Sequence, residues 1–93
     1  MYQKNSHVFW VQTDEGMLLQ NVHTNQFIEL DKTQEIVWEY LDGTFSEEKI
    51  TEVVIKKQGV TDKKELIKKV HTTVELLKSL DMIGTNGAVN GNK

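Results

Sequence analysis

Cysteine and arginine are both absent from the 93-residue chain. Without thiols there is neither a disulfide framework nor a thiolate metal site, and the fold needs no oxidising compartment. All of the 11 cationic residues are lysines, set against 14 carboxylates, for a formal net charge of -3. A nucleic-acid binder usually carries a basic excess, with arginine as its base-reading fork, so this balance argues against a DNA or RNA partner. No apolar run approaches the roughly 20 residues that span a bilayer. The polar start, residues 1–6, lacks an apolar signal core. The expectation is a cytoplasmic chain with no membrane partner. A length of 93 residues with 38% hydrophobic content suits one compact domain.

Catalytic signatures are equally scarce. His7, His23 and His71 are scattered, and none has a second histidine or a carboxylate at metal-ligand spacing on one helix face. The carboxylate pairs Asp14-Glu15 and Glu47-Glu48 fall at a turn and at a helix start, where solubility and the helix dipole explain them. No Gly-x-Ser-x-Gly elbow surrounds Thr44, Ser46, Thr72 or Thr73, and there is no Gly-rich phosphate loop. Leu77-Lys78-Ser79-Leu80 lacks the Asp-Ser-Leu of a carrier-protein attachment site. The chain reads as a non-enzyme with no cofactor and no metal.

What is present changes character near residue 31. Residues 7–30 hold short β-type runs: His7-Val8-Phe9-Trp10-Val11-Gln12, then residues 17–22, then Gln26-Phe27-Ile28-Glu29-Leu30. Thr13-Asp14-Glu15-Gly16 and His23-Thr24-Asn25 supply the turns, so the spacing predicts an antiparallel meander. Asp31 then reads as an N-cap, with Gln34 completing a variant capping box. The helix it opens carries Ile36, Val37, Trp38, Tyr40 and Leu41 and stops at Asp42-Gly43. Ser46 caps a second helix, with Phe45 and Ile50 at staple spacing and Gly59 at its end. Thr61 and Asp62 open a third, with Leu66, Ile67, Val70, Val74, Leu77 and Leu80 at helical spacing. Residues 84–93, rich in Gly and Asn, read as a disordered tail after a domain of residues 1–83. The fold class is α+β: a three-stranded antiparallel sheet followed by three helices, in a winged helix-turn-helix-like arrangement.

One ordered combination is more specific. Phe27-Ile28-Glu29-Leu30-Asp31 is followed by Val37-Trp38-Glu39-Tyr40-Leu41-Asp42-Gly43, and then by two helical stretches, Thr44 to Lys57 and Thr61 to Ile83. Across roughly residues 8–83 this resembles the PqqD-like family, the recognition elements for ribosomally made, post-translationally modified peptides. Gln34 departs from the pattern, which commonly has Gly there. The resemblance implies a structural role for Leu30, Val37, Trp38 and Leu41. It also implies that a precursor's leader peptide adds as a strand on the third strand's free edge, beside the third helix. The edge would be Gln26, Phe27, Ile28, Glu29 and Leu30. The helix wall would draw on Ile67, Val70, His71 and Val74, with Lys64, Lys68 and Lys78 as rim charges. The Lys63, Lys64, Lys68 and Lys69 face would otherwise be an ordinary solvated helix surface. The implied partners are the leader peptide and a downstream leader protease or radical-SAM modifying enzyme. The competing readings are a winged-helix DNA-binding transcriptional regulator and a plain subunit-contact domain without a groove.

Overall fold

The computed structural model describes residues 1–59 and 62–85. Eight elements follow in order: β1 (Tyr2–Lys4), β2 (Val8–Gln12), β3 (Gly16–Asn21), β4 (Gln26–Asp31), α1 (Lys32–Glu39), α2 (Glu47–Gln58), α3 (Lys63–Ser79) and β5 (Ile83–Thr85). The expected meander and the three helices are all present. β2, β3 and β4 form an antiparallel sheet in that order, with Trp10 opposite Leu19 and Leu19 opposite Ile28. Because strand side chains alternate, Val8, Met17, Leu19 and Leu30 share one buried face. Phe9, Val11 and Phe27 stand exposed on the other. Gly16 closes the first turn where the chains run closest: a β-carbon there would lie 1.9 Å from the Leu30 carbonyl oxygen.

The helices begin where their side chains satisfy otherwise unpaired amides. Asp31 accepts from the Gln34 amide at 2.8 Å, and Gln34 Oε1 accepts from the Asp31 amide at 3.1 Å, completing the capping box. Ser46 caps α2, whose first turn carries Glu47 and Glu48, and Gly59 ends it in the left-handed conformation. Asp62 caps α3. The buried faces meet in one cluster: Val37, Trp38 and Leu41 after the sheet, Ile50 and Val54 from α2, and Leu66, Val70, Val74 and Leu77 from α3. The structural role implied for Leu30, Val37, Trp38 and Leu41 agrees with exposures of 3% or less.

A second, two-stranded sheet was not expected. β1 and β5 pair antiparallel, Tyr2 with Thr85, Gln3 with Gly84 and Lys4 with Ile83, joining the two ends of the chain. This corrects the reading of Gly84 and Thr85 as disordered tail; residues 86–93 lie outside the described residues. Ending the chain at Ile83 is therefore expected to lower stability by about 1–2 kcal/mol, since it removes two ladder positions whose hydrogen bonds contribute roughly 1 kcal/mol each. A urea melt of the truncated protein that overlays the full-length curve would contradict this.

Candidate functional site: the open edge of β4

β4 pairs with β3 on one side, and no strand among the described residues covers its other edge. The ladder phase shows which backbone groups that edge presents. Thr13 and Gly16 exchange hydrogen bonds across the first turn, and the Val22 amide donates to the His7 carbonyl. Hydrogen-bonded pairs alternate along an antiparallel ladder. Leu18 and Gln20 thus turn their backbone toward β2, while Met17 and Leu19 turn theirs toward Leu30 and Ile28 of β4. Phe27 and Glu29 then direct both N–H and C=O outward. The next outward amide, that of Asp31, is already taken by Gln34. The edge offers two residues, four backbone groups, to an incoming strand.

α3 is tied to the sheet at two points, Asp31 of β4 and Asn21 of β3, and to α1 at a third. Lys69 Nζ reaches Asp31 Oδ2 at 2.6 Å, and Gln34 Nε2 donates to Thr73 Oγ1 at 3.2 Å. At the other end, Asn21 Nδ2 donates to the carbonyls of Leu80 (2.9 Å) and Asp81 (3.1 Å). Since Asn21 is opposite Gln26, the helix runs antiparallel to β4. The strand from Gln26 to Asp31 and the helix from Lys69 to Leu80 are each about 17 Å long, at roughly 3.4 and 1.5 Å per residue. Lys69, Thr73, Leu76 and Leu80 recur at helical spacing on the side so attached. Leu76, 37% exposed, sits on that side between the attachment points and is the open apolar residue there.

The edge residues expected from sequence are on this strand: Gln26, Phe27 and Glu29 are exposed, Ile28 is half-buried and Leu30 is buried. The helix residues differ. Val70 and Val74 are fully buried in the core, so they support the helix from beneath and are not open to a ligand. Ile67, 52% exposed, lines a hollow with Glu47, Glu48, Thr51, Glu52 and Ile55 of α2. His71 Nδ1 meets Glu47 Oε2 at 3.0 Å. Both therefore face α2 and not β4. Lys78 lies over the Tyr2 ring and pairs with Glu75, while Lys64 and Lys68 are exposed. The partly open residues on the attached side are instead Lys69, Leu76 and Leu80, with the fully buried Thr73 held by Gln34 between them and Asn21 at the far end. Among the described residues no group of three or more His, Asp or Glu side chains could hold a metal ion, and no helix is long and apolar enough to cross a membrane.

The Asp31 carboxyl closes one end of the groove. Burial acts to raise it, but hydrogen bonds from Lys69 and from the Gln34 amide, with the Lys69 charge, outweigh burial and hold it below the usual carboxylate range. A group depressed in the folded state stabilises the fold above its unfolded pKa, about 4 for Asp, and the contribution is lost as pH falls through the folded value. Asp31→Asn keeps a competent N-cap and removes the charge. The urea midpoints of wild type and variant are expected to differ at pH 7 and converge as the pH drops below about 4. A gap that is constant with pH would show that the ion pair contributes nothing.

No family model and no curated protein matches the chain. Two solved structures do. The complex of TbiB1 with the TbiA(beta) leader peptide superposes with a TM-score of 0.73 at 16% identity, covering 87% of this chain and 93% of that one. Lasso peptide synthetase B1 complexed with its leader peptide gives a TM-score of 0.74 at 17% identity, covering 89% and 96%. Likeness at these identities concerns the fold: the chain is built as these two proteins are, the architecture that its resemblance to the PqqD-like family implied.

Proposed function

We propose that this chain captures the leader segment of a ribosomally made precursor by strand addition on β4 and presents it to a maturation enzyme, a leader protease or a radical-SAM enzyme. The observation that carries the reading is the pair Phe27 and Glu29, whose outward backbone groups lie beside an attached, length-matched helix. Backbone bonds on such an edge provide affinity, and the groove selects alternate side chains. The two leader-bound structures of the same fold lend support. In this role the chain is an adaptor and performs no chemistry itself. The DNA-binding alternative has less behind it, since two α3 lysines are already engaged, Lys69 by Asp31 and Lys78 by Glu75.

The test is NMR titration of labelled protein with the N-terminal segment of a short precursor frame encoded beside this chain. The amides of Phe27 and Glu29 should shift and gain exchange protection. Leu76→Asp, at a half-open position that leaves the core intact, should weaken binding about tenfold or more by placing a charge in the apolar wall. Binding seen by calorimetry with unshifted amides at residues 26–30 would place the groove elsewhere.

A further inference from the structure

The outward face of β4 carries two exposed side chains of different chemistry. Phe27 and Glu29 are the residues whose backbone meets an added strand, and their side chains share the face opposite the core. In an antiparallel ladder the residue directly across a hydrogen-bonded pair sits about 5.5 Å away between α-carbons, close enough for side chains to select each other. Glu29 lines an open cleft of about 360 Å³ with Thr13, Glu15, Leu30, Asp31 and Gln34. Asp31 is neutralised by Lys69. Glu15 and Glu29 meet no cation among the described residues. Phe27, 57% exposed, belongs instead to an apolar hollow with Phe9, Val11 and Leu18. One end of the edge is therefore acidic and the other apolar.

We infer that the β4 edge selects a peptide with a lysine or arginine opposite Glu29 and an aromatic or aliphatic residue opposite Phe27. The inference rests on the strand-addition reading and deepens it. Since an antiparallel partner runs against β4, the basic residue comes first and the apolar one two positions later. The residue between them points to the other face, over Ile28 and the Leu76 wall. The pattern is basic, apolar, apolar, with Glu29 as the specificity-determining residue.

The experiment is selection of a phage-displayed library of random peptides on the wild-type protein, on Glu29→Lys and on Glu29→Gln. Glu29 is exposed and outside the core, so circular dichroism should show all three folded alike. Wild type should enrich Lys or Arg two places before an apolar residue, Glu29→Lys should enrich Asp or Glu there, and Glu29→Gln should show no charge preference. A synthetic wild-type-selected peptide should lose about fivefold in affinity on Lys→Glu substitution and regain it on Glu29→Lys, as opposed and like cross-strand charges differ by that order. The difference should shrink in high salt. Peptides that shift the Phe27 and Glu29 amides yet show the same charge pattern on all three proteins overturn this inference and leave strand addition standing. Selected peptides that leave those amides unmoved, or a selection that yields no binder, overturn strand addition itself.

Discussion

Replacing Trp38 with alanine should cost about 3–5 kcal/mol, as truncation of large aromatics in cores does. That is a large share of the 5–15 kcal/mol typical of a whole domain. Trp38 is 1% exposed and joins the core cluster from α1. Trp10 of β2 meets it edge-on, with ring centroids 5.4 Å apart at 77°, so the indole links helix to sheet. Lys4 Nζ lies 5.3 Å from the Trp38 ring and 6.0 Å from Trp10. From there it donates to the carbonyls of Glu39 (3.3 Å) and Leu41 (3.4 Å), closing the C-terminal end of α1 with a positive charge. Burial lowers the Lys4 pKa, against the pull of Asp42 and Glu39. Removing the indole thus opens a core cavity and withdraws the surface on which this cation rests. Trp38→Phe should be much milder, because the buried indole N–H has no acceptor among the described residues, and losing an unpaired donor offsets part of the lost volume. Urea melts of the two variants measure the difference. On a Trp10→Phe background, Trp38 should emit like an indole shielded from water; an exposed-type spectrum would contradict its placement.

How much of this could be read beforehand depends on how local each signal is. The meander was legible because strand alternation and turn residues occur within a few positions of each other, as in Thr13-Asp14-Glu15-Gly16. The caps Asp31, Ser46 and Asp62 were legible for the same reason. β1 and β5 were not: each has three residues, and their pairing joins Tyr2 to Thr85 across the chain. The β4 edge is an expectation carried by the resemblance, and the helix wall expected beside it follows the strongest apolar stripe on α3. In a small domain that stripe is consumed by the core, which is where Val70 and Val74 lie. The side left for a groove is mixed, a lysine and two leucines around a buried threonine, and carries no purely apolar periodicity. Its direction is fixed by tertiary bonds, Lys69 to Asp31 and Thr73 to Gln34. Gln34, where the family pattern commonly has Gly, is one of those attachments.

Asn21→Asp is expected to destabilise the fold by about 2–4 kcal/mol, for two lost hydrogen bonds and a buried charge facing two carbonyls. Asn21 is fully buried, and as the last residue of β3 it looked in sequence like part of a strand end. Its amide is satisfied on both sides. Nδ2 donates to the Leu80 and Asp81 carbonyls, which α3 leaves unpaired at its C-terminus. Oδ1 accepts from the amides of His23 (2.9 Å) and Thr24 (3.3 Å), shaping the turn into β4. A carboxylate can still accept from the turn but cannot donate to the helix. Burial raises the pKa of such a group, so the penalty is present above its folded pKa and relieved as pH falls through it. The variant should therefore recover part of its stability on acidification, where a mere cavity would not. Because Asn21 holds the Leu80 end of α3 beside the start of β4, loosening it widens the groove. Peptide affinity should fall even at temperatures where circular dichroism shows the variant folded. Glu48→Gln, at an exposed position on α2 away from β4, serves as the control and should change neither stability nor binding appreciably. If Asn21→Asp matched that control in urea melts at neutral pH, the clamp would be structurally idle. If it lost stability but bound peptide as wild type does, the groove would not depend on how this end of α3 is held.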